Sequence, residues 1–292
     1  MIEFEQFLAD SSKLVDQALE QLLPSPECEP LRLYAAIRWS LFGRGKRFRP
    51  ALVFASAKAF GVEFEKVQAT AAAIEMVHTY SLIHDDLPSM DDDDMRRGRP
   101  TCHIKFDEST AILAGDALQA MAFSAIANND NLPEPVRIRL LVMIGDAASK
   151  MVAGQQMDLE AEGRDISIGS IEGIHRNKTG ALIKASACVG AVVGGAPDVE
   201  MSAIMDFGEK IGLLFQMTDD LLDITESSEM LGKTAGKDLS SAKATYPSVI
   251  GIDATRKKIE KIHAEAIETL SRISGETGIL KNIAEYIIDR RS

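Results

Sequence analysis

The chain has 292 residues, 46% of them hydrophobic, which is enough for a large core, and its formal net charge is −12. That acidity argues against a nucleic-acid binder, because a phosphate backbone asks for a basic face. Few aromatics beside plentiful Ala, Leu, Ile and Met favour helix over strand, since unbranched side chains lose little rotamer freedom in a helix. Cys28, Cys102 and Cys188 are odd in number, widely spaced and without a metal-ligand pattern; they read as reduced thiols of a cytoplasmic protein.

In chain order, the N-terminus from Met1 is acidic and amphipathic, unlike a signal peptide. Phe4, Phe7, Leu8, Leu14, Val15, Leu19 and Leu22 form an apolar stripe on a first helix. Of the ten prolines, seven fall near Pro24 to Pro30, Pro88 to Pro100 and Pro133 to Pro135, leaving long helical stretches between them. Gly43-Arg44-Gly45-Lys46-Arg47-Phe48-Arg49-Pro50 leads into a helix that Pro50 suits as first residue, an anion site by geometry and charge. No strand precedes it and the Walker spacing is missing, so a nucleotide P-loop is excluded. Ala111 to Ala127 is apolar nearly all round, as a helix buried inside a bundle would be. Ala181 to Pro197 is also apolar, but Lys184 and glycines interrupt it, so no membrane span is expected. Ile204, Phe207, Ile211, Leu214, Phe215 and Leu222 stripe a long later helix. No strand alternation, repeat or linker stands out. One all-α domain of about ten helices, residues 1–292, is predicted.

Two acidic segments do not fit a featureless bundle. Asp219 and Asp223 in Asp219-Asp220-Leu221-Leu222-Asp223 are four apart and share a helix face that continues back through Phe215 and Ile211. Charge on such an inward row is expensive unless a cation offsets it. The earlier row Ile74, Val77, Ser81, Asp85 also ends in carboxylates, and Asp91 lies six residues further on. Pro88 breaks the helix, and a bulge over Leu87 to Met90 would return Asp91 to the face of Asp85. Taken alone, Asp91 to Asp94 reads equally as a solvated acidic loop. Two carboxylate clusters facing each other across a cavity would suit Mg²⁺, a hard cation shared with diphosphates. Basic segments answer them: Arg96-Arg97-Gly98-Arg99 directly after the acidic run, Lys178-Thr179-Gly180, and Lys233, Lys237 and Lys243. Such a chain handles diphosphates twice, once through metals and once through direct Lys and Arg contacts.

Together these motifs resemble the trans-isoprenyl diphosphate synthases, closest to the bacterial-type farnesyl diphosphate synthases, from Gly43 to about Tyr246. Asp85-Asp86 with Asp91 is similar to the family's first aspartate-rich motif in its form with two inserted residues, and Asp219 to Asp223 to the second. The resemblance implies an all-α, single-domain helical bundle of the isoprenoid synthase type around a central deep cavity, usually a cytoplasmic homodimer. It implies that Asp85, Asp91 and Asp219 hold three Mg²⁺ (Mn²⁺ substituting) with Asp86, Asp220 and Asp223 in support and Asp158 nearby. Arg96, Lys178, Lys233 and Lys243 would contact the allylic diphosphate, dimethylallyl or geranyl. Lys46, Arg49, His78 and Arg97 would bind isopentenyl diphosphate, and Thr179 and Gln216 would lie near the developing carbocation. Arg290 and Arg291 resemble a basic tail folded over the site in some members.

Product length is expected to rest on Tyr80, about 7.5 Å back from Asp85 along the helix at 1.5 Å per residue, with the small Ser81 beside it. In the family this pairing implies farnesyl diphosphate. Geranylgeranyl diphosphate synthesis is the alternative. A terpene cyclase would not need Lys46, Arg49 and Arg97; a helical nucleotide pyrophosphatase and a silent subunit of a heteromeric synthase are further alternatives.

Overall fold

The stretches between the proline clusters are helical, and their ends follow local chemistry. The computed structural model describes residues 2–43, 45–225 and 245–289. The chain divides into two compact units, residues 1–54 with 63–141 and residues 55–62 with 142–292. Arg44, Lys233, Lys237, Lys243, Arg290 and Arg291 lie outside the described residues.

The first unit contains α1 (Ile2–Leu22), α2 (Leu31–Leu41), the start of α3 (Phe48–Ala59), α4 (Phe64–Asp85), α5 (Cys102–Lys105), α6 (Glu108–Ala127) and the start of α7 (Glu134–Ala161). On α1 the buried stripe runs through Phe4, Ser11, Val15, Ala18, Leu19 and Leu23, while Leu22 is exposed. α4 is buried on almost every side, from Val67 through the alanines at 71–73 to Tyr80 and Ile83, and packs along α1 and α6. It ends at Asp85, before Leu87-Pro88, since the residue preceding a proline is pushed out of the helical region. α6 starts where the Asp107 side chain accepts the Thr110 N–H at 2.6 Å. Its burial is one-sided rather than complete. Ile112 and Leu113 are 45% and 58% exposed, so an apolar face remains open. By length and composition α6 would cross a bilayer, yet it packs on α2, α4 and α5.

One feature is not helical. Met95–Arg96 (β1) pairs antiparallel with Arg99–Pro100 (β2), and the turn residues Arg97 and Gly98 have φ of 53° and 74°. Positive φ at both central positions is the type I′ pattern that matches strand twist.

The second unit holds the rest of α7, α8 (Ile168–His175), a π turn (Arg176–Gly180), α9 (Ala181–Gly194), α10 (Asp198–Thr225), α11 (Tyr246–Ile250), α12 (Ile252–Leu270) and α13 (Gly278–Asp289). Thirteen α-helices are described, against about ten expected; α5 and α11 are too short for a periodicity to reveal. α10 packs against α9, α12 and α13, and Ile204, Phe207, Ile211 and Leu214 are fully buried along its stripe. Cys28 is exposed, Cys102 and Cys188 are buried, and none is in a disulfide. Burial pushes the Cys102 thiol up to about 11 and Cys188 to about 12, so neither is a nucleophile near neutral pH.

Candidate active site

In the first unit the helix of the glycine-basic segment starts at Phe48, so Pro50 is its third residue, a position in the first turn where a missing N–H is harmless. Arg47, just before it, has φ of 46° and is only 5% exposed. Its guanidinium reaches the Glu75 carboxylate on α4 at 2.8 Å, Asp16 on α1 at 2.7 Å, and the Leu41 carbonyl at 2.7 Å. Glu75 is itself 3% exposed, so a buried ion pair fixes the loop between Lys46 and Arg49. A Cβ on Gly45 would sit 2.5 Å from the Arg97 Nη1, so the guanidinium lies directly against the loop and a larger residue would push it aside. His78, one turn beyond Glu75, is held well below its usual value by burial and by the charges of Arg49, Arg97, Arg96 and Arg47. Its imidazole is neutral at pH 7. Arg49, His78 and Arg97 are thus gathered in one strongly positive patch.

After α4 the chain curls back on itself. The Asp91 N–H donates to the Asp85 carbonyl at 2.8 Å and the Asp93 N–H to the Asp86 carbonyl at 3.2 Å, which returns the acidic run to the helix end. Asp86 is buried, and both its oxygens accept from Arg96 Nε, at 2.8 and 3.1 Å, with Nη2 at 2.6 Å. Burial raises the Asp86 carboxyl, and the Arg96 hydrogen bonds and charge oppose that rise. Arg96 is therefore engaged by the protein itself. Tyr80 is buried with its ring edge-on to His84, centroids 5.9 Å apart, and the Ser81 hydroxyl donates to the His78 carbonyl at 2.9 Å.

In the second unit the π turn carries Lys178 and Thr179. Such single π turns inside helical runs are frequent at functional sites. A Cβ on Gly154 of α7 would lie 2.2 Å from the Lys178 nitrogen, so this glycine lets α7 touch the turn. Lys178 Nζ donates to Asp158 on α7 at 2.6 Å. Thr179 donates to the Gln216 side-chain oxygen at 3.0 Å, and the Gln216 amide donates to Asp220 at 3.2 Å. The other Asp220 oxygen accepts the Tyr246 backbone N–H at 3.0 Å and lies 3.7 Å from His175 Nε2. Burial lowers His175 to about 4, so it too is neutral at pH 7. Asp219 is half-buried one turn before the buried Asp223.

Sequence reasoning passed over Gln155, which is 8% exposed with both side-chain amide atoms lacking a hydrogen-bond partner among the described residues. A buried polar group in that condition is costly and calls for a partner, a water or a ligand group. Its place one turn before Asp158 was the available signal. Among the described residues no three Asp, Glu, His or Cys side chains are gathered to hold a metal ion. Mg²⁺ is commonly shared by one or two carboxylates, several waters and substrate phosphates rather than held in a protein cage. The donors present are all hard oxygens: Asp85 and Asp91 at the end of α4, and Asp219 and Asp223 on one face of α10. They fit that ion.

Residues 31–285 match the model of the polyprenyl synthetase family. The farnesyl diphosphate synthase of Escherichia coli strain K12 is 41% identical over 99% of each chain. Heterodimeric geranylgeranyl pyrophosphate synthase large subunit 1 of Arabidopsis thaliana is 42% identical over 99% of this chain and 80% of its own length. The crystal structure of geranylgeranyl pyrophosphate synthetase from Pyrococcus horikoshii superimposes with a TM-score of 0.90 at 31% identity, over 99% of both chains.

Proposed function

The chain belongs to the polyprenyl synthetase family and is a prenyl transferase, and from that premise we propose that it condenses isopentenyl diphosphate head to tail with dimethylallyl and then geranyl diphosphate, yielding farnesyl diphosphate. The observation that carries this reading is the patch of the first unit where Arg49, His78 and Arg97 converge beside Lys46, a metal-free receptor for a diphosphate. The family match runs through both compact units, which supports one synthase domain over residues 1–292.

Mg²⁺, when bound, would neutralise the charge that develops on the leaving diphosphate. Asp85 with Asp91, and Asp219 with Asp223, would hold it, and Asp86 and Asp158 would act behind them through Arg96 and Lys178. Lys46, Arg49 and Arg97 would hold the isopentenyl diphosphate, with neutral His78 donating a hydrogen bond. Lys178, with Lys233 and Lys243, would draw electron density into the allylic diphosphate as its C–O bond breaks and the electron pair leaves with oxygen. The Thr179 hydroxyl and Gln216 amide would present their dipoles to the allylic cation. The isopentenyl double bond, fixed nearby, attacks that carbon, and a proton is lost to the released diphosphate. A homodimer is part of the proposal, supported by the open apolar face of α6 at Ile112 and Leu113.

Product length separates this reading from a geranylgeranyl synthase, since relatives of both kinds are similar to the chain. The buried Tyr80 supports the shorter product by closing the space beside α4. Labelled isopentenyl diphosphate with each allylic primer should give a fifteen-carbon product that chelator abolishes. Tyr80→Ala should extend it to twenty carbons or beyond, and Ser81→Phe should shorten it towards ten. A twenty-carbon product from the unaltered protein would replace the farnesyl reading, and no product from any primer would overturn the reaction.

A further inference from the structure

The two-residue strands β1 and β2 form a hairpin too small to hold its shape alone, because an isolated pair of strands is marginal even at greater length. Its tip nevertheless keeps Arg97, a residue with a side chain, at a φ of 53°. Something outside the hairpin must fix it. On the β1 side that anchor is Arg96, tied to Asp86. On the β2 side it is Trp39 of α2, the only tryptophan in the chain.

Trp39 uses both of its chemical faculties there. The indole Nε1–H donates to the Pro100 carbonyl at 3.0 Å, and the ring face carries the Arg99 guanidinium 3.7 Å from its centroid, with Lys105 Nζ at 5.1 Å. Tryptophan combines an N–H donor with the strongest cation-attracting face among the side chains. Both β2 residues are thereby pinned to α2. A cavity of about 60 Å³, lined by Trp39, Ser40, Gly43, Ile83 and Cys102, lies behind the hairpin, with Arg97 also at its wall. Arg96, Arg99 and Pro100 of the hairpin line it too, so without the Trp39 contacts β2 has room to shift and Arg97 with it.

We infer that Trp39 is a positioning residue for the anion patch: by holding β2 through Pro100 and Arg99, it sets where the Arg97 guanidinium meets a diphosphate. The inference rests on the reading of that patch as the isopentenyl diphosphate site. It assigns Trp39 no contact with substrate.

The test is calorimetric titration of the full chain with inorganic pyrophosphate in chelator, for wild type, Trp39→Phe and Trp39→Leu, alongside steady-state kinetics and thermal unfolding. Trp39→Phe keeps the ring face but loses the donor, and should weaken pyrophosphate about fivefold, the worth of one hydrogen bond. Trp39→Leu, which loses both, should weaken it by about twentyfold. KM for isopentenyl diphosphate should rise in the same order, with kcat and the KM for geranyl diphosphate unchanged. As the single fluorophore of its kind, Trp39 should also change its emission when pyrophosphate is added, and Arg97→Ala should remove that change. Equal pyrophosphate affinity in all three proteins overturns the inference. So does a fall in kcat and melting temperature at constant KM, which would mark a purely structural tryptophan. A wild type that makes no prenyl product, yet loses pyrophosphate affinity on Trp39→Phe, refutes the proposed reaction and leaves the role of Trp39 standing. A wild type that binds no pyrophosphate overturns both.

Discussion

The acidic segment after α4 and the acidic end of α10 are alike in sequence, yet different groups reach their second aspartates. Asp86 is held by a charge, the Arg96 guanidinium, in three contacts between 2.6 and 3.1 Å. Asp220 is held by the neutral Gln216 amide and Tyr246 N–H, with an uncharged imidazole 3.7 Å away. Asp86 thus meets a guanidinium, whereas these contacts of Asp220 come from an amide and a backbone N–H. In both places the second aspartate belongs to the scaffold, and Asp85 and Asp219, each half-buried, keep a solvent-facing side. In the proposed site the repeated aspartate pair would thus divide its labour.

The largest effect should separate the members of a pair. Asp219→Ala, like Asp85→Ala, should lower turnover by about 100-fold or more while leaving the unfolding transition nearly unchanged. Asp220→Ala should also unfold more easily, by about 2–4 kcal/mol, because the Tyr246 N–H and Gln216 amide lose their buried acceptor. Turnover with unfolding in denaturant, measured on the same preparations, checks both. If Asp219→Ala lost as much stability as Asp220→Ala, the division would collapse. Next in size is the charged anchor. Arg96→Ala strands the buried Asp86 and should cost about 2–4 kcal/mol, while Arg96→Met with Asp86→Leu should recover most of it. Losses that simply add in the double variant would mean that the two residues act independently.

How far these contrasts were legible depends on whether a signal was local. The α10 stripe and the shared face of Asp219 and Asp223 follow from a period of 3.6, and the end of α4 follows from Pro88. The grip of Arg96 on Asp86 was not legible, because a hairpin of two-residue strands leaves no period to read. Nothing local in the sequence sets Arg47 apart from its basic neighbours Lys46 and Arg49. Its burial depends on Glu75, a carboxylate set among Ile74, Met76 and Val77, where a lone acid needs an internal partner. The π turn at Arg176–Gly180 depends on the approach of Gly154, a tertiary fact that no propensity encodes.

The basic side of the comparison predicts a smaller, selective effect. Lys46→Ala should raise the KM for isopentenyl diphosphate about tenfold, equivalent to about 1.4 kcal/mol, without moving that for geranyl diphosphate. Initial rates at varied concentrations of each substrate decide it. Equal weakening of both substrates would sink the separation of a direct diphosphate site from a metal-assisted one.

The smallest effect concerns the two depressed histidines, which reach the same neutral state by different routes. In the first unit, burial and then four arginines hold His78 down; in the second, burial acts on His175 against the pull of Asp158. A histidine whose folded value lies below its ordinary 6.5 takes up its proton first in the unfolded chain. Stability is therefore complete above about pH 6.5 and falls as the pH drops, for His175 until about pH 4. Between pH 7 and 5.5 that residue alone should remove about 1 kcal/mol from the unfolding free energy. His175→Gln, which cannot titrate, should flatten the dependence by that amount and leave the share of His78 in place. Urea unfolding at pH 7, 6 and 5.5 measures both slopes. An unchanged slope in His175→Gln would mean that its imidazole is not buried neutral beside Asp220, and the contrast between the two histidines would lose its second half.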